Sequence, residues 1–133
     1  MLPENAKERK DTPITTGVLD YFPLALAEVA RVSKAGNDQH NPGEPLHWAR
    51  EKSTDQADCL VRHLLERGTL DTDGQRHSAK VAWRALALLQ IELETEQKAL
   101  LMPLNERDAY RARVKHQTDL IAAERREHDS TRE

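Results

Sequence analysis

Apolar residues recur at helical spacing through most of the chain. Leu24, Ala25, Val29, Val32 and Ala35 fall on one arc at about 100° per residue, which predicts an amphipathic helix from Leu24 to about Ala35. Asp20 is placed to cap it, Pro23 is tolerated in its first turn, and Gly36 is a natural stop. Ala57, Leu60, Val61, Leu64 and Leu65 then repeat as i, i+3, i+4, i+7 and i+8, the core face of a second helix. Ser53 or Thr54 caps that helix and Gly68 ends it. A third helix, roughly Gln75 to Gln97, is apolar on nearly all sides, with Val81, Trp83, Leu86, Leu89 and Leu93 among its residues. A helix of that kind is central or lies in an oligomer interface. Pro103 divides it from a fourth, about Leu104 to Glu127, whose narrow stripe of Tyr110, Val114, Gln117 and Ile121 suits a lid against a neighbouring helix or a second subunit.

The intervening segments are polar. Residues 1–16 are charged and twice broken by proline, an arm ordered only where it docks. Asn37 to Lys52 is a loop set by His40-Asn41-Pro42-Gly43 and Glu44-Pro45, strong turn formers. Loops of this length in helical proteins are functional or disordered, and Leu46 and Trp48 argue for order by anchoring the loop to the body. Thr69 to Gly74 is a turn in which Asp71 or Asp73 caps the third helix. Its DTDG lacks the ligand spacing of a calcium loop. The expected organisation is all-α: an arm over 1–16, a helical core over 17–102 and a C-terminal helix with a fraying tail over 103–133.

Composition agrees with this fold class. Charged residues make up 32% of the 133 and aromatics only 4%, a helical rather than sheet-forming balance. A formal charge of -3 argues against a sequence-independent nucleic-acid binder but leaves room for a small anion held by local cations. The single cysteine, Cys59, excludes an internal disulfide and a cysteine-based zinc knuckle, and points to a reducing cytoplasm. No apolar run approaches the ~20 residues of a membrane span, so no membrane partner is expected.

The candidate chemistry lies around the loop. Glu28 falls inside the first helix's apolar arc, and a carboxylate there needs a cation, either a metal or an arginine. Asp55 and Asp58 are three apart and share one helix edge, an arrangement that suits Mg²⁺ or Mn²⁺ and is also common on ordinary surfaces. His77, Lys80 and Arg84 form a polar stripe near the start of the third helix, suited to phosphate. His77 is equally explained as a capping or core histidine. Trp48 is a packing plug or a stacking surface for a base. A His-Asp phosphohydrolase is excluded, because the only His-Asp doublet, His128-Asp129, lies in the tail.

Several runs together carry a more specific likeness. These are Tyr21-Phe22-Pro23 with Ala27-Glu28-Val29-Ala30, then His40-Asn41-Pro42-Gly43-Glu44-Pro45-Leu46-His47-Trp48 and Lys52-Ser53-Thr54-Asp55. Arg62-His63, Asp71-Thr72-Asp73-Gly74, His77-Ser78-Ala79-Lys80 and Ala82-Trp83-Arg84-Ala85-Leu86 follow in order. Over about residues 10 to 95 the chain resembles the phage dATP/dGTP diphosphohydrolase family. The resemblance implies an all-α, MazG-like helical bundle of about four helices, acting on a purine (d)NTP as a homodimer or homotetramer. It implies release of monophosphate and pyrophosphate with Mg²⁺ (or Mn²⁺), and in phages that use 2-aminoadenine a dGTP-to-dGMP step. Such enzymes hold metal with an ExxE pair and an ExxD pair. Here ExxD falls on Asp55 and Asp58, and the first glutamate of ExxE on Glu28. The second falls on Arg31, which cannot bind metal, so His40, His63 and His77 become candidates to complete the set. Arg50, Lys52, Arg62, Lys80 and Arg84 are candidate phosphate clamps, with Asn37, Gln39 and Trp48 to read the base. The alternative is a non-catalytic nucleotide-binding or helical interaction module that has lost its metal.

Overall fold

The loop that carries Trp48 is held at both ends by the helix before it. That helix, α2 (Pro23–His40), opens on Pro23 and runs four residues past Gly36. No positive φ is required at Gly36, and the Lys34–Asp38 pair at 2.5 Å bridges it one turn apart. The stop comes at Asn41, where the following proline disfavours helical geometry. The expected end at Gly36 is therefore corrected to His40. Asp20 is not its cap either: Phe22 occupies that position without a side-chain bond.

The computed structural model describes residues 4–130, with side chains through 128. Readings made for residues 1–3 and 131–133 lie outside the described residues. Among them are five α-helices and no strand beyond one isolated antiparallel bridge, Leu70–Arg76, so the fold is all-α. Besides α2 these are α1 (Ala6–Lys10), α3 (Gln56–Leu65), α4 (His77–Leu100) and α5 (Leu104–Ser130). A π-turn at Thr15–Leu19 and a 3₁₀ turn at Arg50–Lys52 complete the chain. The segment read as an arm thus carries α1, capped by the Asn5 side chain on the Lys7 amide.

Residues up to Leu88 form one unit, and those from Leu89 a second. In the second, the end of α4 and α5 form a helical hairpin through the Leu101–Pro103 turn, with Ala99 buried. The first unit holds the features that follow.

In that unit α3 turns the opposite way from its apolar pattern. Gln56 is 3% exposed, and Cys59, Leu60 and His63 are half-buried, whereas Val61 is 52% and Leu65 76% exposed. Of the stripe expected to be core, only Leu60 is covered. The inward face is polar because its groups satisfy one another: Gln56 accepts from Arg84 at 2.8 Å, and His63 meets His77 at 3.0 Å. Asp55, not Ser53 or Thr54, occupies the N-cap position. On the part of α4 in this unit the buried apolar residues are Ala79 and Ala87, while Leu86 is 53% exposed, so the apolar perimeter there is not fully covered within one chain.

Candidate functional site

The last turns of α2, the 41–53 loop, His63 of α3 and the first turns of α4 enclose a cavity of about 180 Å³. Asn37, His40, Trp48 and Lys52 line it from α2 and the loop. His63, Lys80, Trp83 and Arg84 line it from α3 and α4. Asn37, Gln39, Trp48, Lys52, Lys80 and Arg84, six of the eight residues expected to clamp phosphate or read the base, are therefore neighbours, although they span some fifty residues of sequence. Arg50 and Arg62 are not part of the wall. The Arg50 guanidinium lies 4.0 Å over the Trp48 ring, and Arg62 donates to Asp55 Oδ2 at 3.1 Å on the exposed side of α3.

Asn37, expected to read the base, pins the loop in this structure. It is 4% exposed, its Nδ2 donates to the Glu44 carbonyl at 3.2 Å, and its Oδ1 accepts from the His47 amide at 3.3 Å. Both ends of the amide are thus spent on pinning the loop. Lys52 closes the loop from the other side by donating to the His40 carbonyl at 2.7 Å and Asn41 Oδ1 at 2.6 Å. Between these clamps Trp48 stands edge-on to Trp83, with ring centres 5.6 Å apart and planes at 76°.

The cations of the cavity are not equivalent. Lys80 bridges Asp71 at 2.6 Å and Asp73 at 2.7 Å. Burial pulls its pKa down, but these two carboxylates outweigh burial and raise it overall. The hydrogen bond from Lys80, with the Thr72 amide, holds Asp71 down at about 2. Arg84 has only neutral hydrogen-bond acceptors, Ser53 Oγ at 2.7 Å and Gln56 Oε1 at 2.8 Å, and no carboxylate pairs with it among the described residues. Its guanidinium is half-buried at the cavity wall. Lys52 likewise bonds neutral oxygens.

The carboxylates expected to hold metal do not converge. Glu28 pairs with Arg31 one turn along α2 and is outside the cavity wall. The cation predicted for Glu28 is thus the arginine. Asp55 is held at about 2, first by Arg62 and then by Cys59, whose thiol is in turn pushed up by burial and by Asp55. Asp58 is exposed in the first turn of α3. Glu28, Asp55 and Asp58 do not bring three ligand atoms within common reach, and Glu28 and Asp55 pair instead with Arg31 and Arg62. Among the described residues, the group of three or more ligand-bearing side chains within common reach is His63, Asp71 and His77. Burial, followed by the charges of Lys80 and His77, lowers the His63 pKa. Asp71 was expected as a helix cap. Instead it accepts from the Thr72 amide, and Asp73 accepts from the Gln75 amide, so the two build the turn rather than cap α4. Gln56 and Ser53, which orient Arg84, carry no sequence signal beyond being polar positions beside an apolar stripe.

The cavity wall carries Lys52, Lys80 and Arg84 beside Asp73, together with both tryptophans of an all-α unit. The chain belongs to the dATP/dGTP diphosphohydrolase, N-terminal, family, whose sequence model matches residues 3–100. The family's name is that of a hydrolase. No curated protein and no solved structure matches the chain.

Proposed function

We propose that this chain is a purine deoxynucleoside triphosphate diphosphohydrolase that converts dGTP, and dATP, to the monophosphate and pyrophosphate. In this reaction water bonds to the α-phosphorus and the bond to the bridging oxygen of the β-phosphate breaks. The carrying observation is Arg84, a half-buried guanidinium on the cavity wall that faces neutral acceptors alone. A triphosphate meeting Arg84, Lys52 and Lys80 gains charge-assisted bonds where solvent is partly excluded. Trp48 and Trp83 offer ring surface for a purine. Mg²⁺ or Mn²⁺ would be carried by the nucleotide and would neutralise phosphate charge. The monophosphate feeds modified-purine DNA synthesis or limits the purine pool, in the cytoplasm of the cell.

A specific observation also supports the non-catalytic reading: Glu28 and Asp55 are neutralised by Arg31 and Arg62. That reading keeps nucleotide binding and loses turnover, so binding and turnover are measured separately. The chain's two tryptophans both line the cavity, so intrinsic fluorescence reports occupancy without a label. A non-hydrolysable dGTP analogue should shift tryptophan emission saturably, and a Trp48→Phe variant should lose most of the response. Emission unmoved by dGTP and dATP analogues would place the nucleotide elsewhere.

The cavity, at about 180 Å³, is smaller than the roughly 300–1,000 Å³ of sites that enclose a drug-sized ligand. It takes part of a nucleotide, and the remainder needs further walls. The outward stripe of α3 offers a surface for them: Val61, Leu64 and Leu65 are exposed together, more than scattered surface apolars require. We infer a homodimer or homotetramer. Light scattering coupled to size exclusion should return twice or four times the 15.2 kDa chain mass; a clean monomer contradicts the assembly.

A further inference from the structure

The His63, Asp71 and His77 group does not depend on the proposed nucleotide chemistry. We propose that these three side chains form a binding site for a zinc-class divalent ion, with two imidazole nitrogens, one carboxylate oxygen and a fourth position open to water. Each residue comes from a different piece of the first unit: α3, the turn after it, and α4. Their ligand atoms lie within 4.8 Å of one another. His63 Nδ1 and His77 Nδ1 face each other at 3.0 Å. Two nitrogens bound to one tetrahedral zinc at about 2.0–2.1 Å stand roughly 3.3 Å apart, so a small outward shift admits the ion. Two imidazoles and a carboxylate favour Zn²⁺, Co²⁺ or Ni²⁺ over Mg²⁺ and Ca²⁺, which prefer oxygen throughout.

The surroundings supply what a histidine ligand needs. His77 is 5% exposed, and Glu66 Oε2 stands 3.2 Å from its Nε2, on the side of the ring away from His63. A carboxylate there accepts a hydrogen bond from Nε2–H and leaves Nδ1 as the lone pair that binds metal, the outer partnership common to ligating histidines. Asp71 is fixed by a tight turn in which its amide donates to the Gln75 carbonyl and the Gly74 amide donates to its carbonyl, each at 2.8 Å. That turn needs φ +76 at Gly74. Lys80 is the opposing charge, but Asp71 and Asp73 already hold it. Glu66 is far out on the exposed side of the group, so its replacement leaves the packing of His63 and His77 in place.

The test uses the full chain, freed of metal by a chelator and titrated with Zn²⁺ alone. One ion per chain should bind, and the ring ¹⁵N signals of His63 and His77 should move together while those of His40, His47, His116 and His128 stay in place. Glu66→Gln should weaken Zn²⁺ roughly 10–100-fold, as loss of an outer carboxylate does. Asp71→Asn, shown to be folded by circular dichroism, should weaken it more. Rings of His63 and His77 that do not respond to saturating Zn²⁺, or a stoichiometry carried by the other four histidines, would overturn the site in the unmodified protein, whatever the variants do. Zn²⁺ affinity unchanged in folded Asp71→Asn would overturn it as well.

Discussion

Arg84→Met should lower kcat/KM for dGTP by roughly 10²–10³-fold, the usual loss when a preorganised donor to developing charge is removed. The size of the effect follows from position. Arg84 donates through one nitrogen to both Ser53 Oγ and Gln56 Oε1, which fixes the guanidinium plane, and no carboxylate among the described residues cancels its charge. Lysine presents a point charge in place of a planar fork, so Arg84→Lys should recover only a minor part of the loss. Arg84→Met leaves Gln56 short of a donor at a position only 3% exposed, so unfolding curves must accompany the kinetics. A kcat/KM within threefold of the parent, in a folded Arg84→Met chain, would remove Arg84 from the phosphate path.

The second large effect is on stability. Asn37→Ala deletes two bonds at once, those that tie the Glu44 carbonyl and the His47 amide to α2 through a side chain only 4% exposed. Hydrogen bonds of this kind contribute about 0.5–1.5 kcal/mol each. A total near 1–3 kcal/mol is a sizeable fraction of the roughly 5–15 kcal/mol of a typical domain. The midpoint of urea unfolding should fall accordingly with its slope unchanged. Nucleotide affinity should fall too, because Trp48 rides on the released loop. A change below about 0.5 kcal/mol, the range of ordinary surface substitutions, would show that Lys52 alone holds the loop.

The sequence made the helices legible because their periodicities are long and their breaks, at Pro42, Gly68 and Pro103, are strong. It misled at Gly36, where glycine is a permitted stop and nothing enforces one: the Lys34–Asp38 pair and the buried Asn37 carry the helix to His40. It misled again on α3. Its apolar stripe reads as core, yet the buried face is polar, because Gln56 and His63 meet Arg84 and His77, residues far along the chain. Such partnerships are invisible to local pattern. For the same reason Arg84, Lys80 and Trp48, which line one cavity, could be named as members of one site, but Ser53 and Gln56, which orient Arg84, could not. The carboxylate set read for metal met Arg31 and Arg62 on the same helices, whereas Asp71, read as a cap, stands with the histidines.

The central claim is that this chain cleaves purine deoxynucleoside triphosphates between the α- and β-phosphates. Ion-exchange chromatography of dGTP and dATP incubated with the purified chain and Mg²⁺ or Mn²⁺ tests it directly. The account predicts dGMP or dAMP in equal amount to pyrophosphate, with no diphosphate intermediate. Intact triphosphate in every purine reaction, or nucleoside diphosphate with orthophosphate, would contradict it.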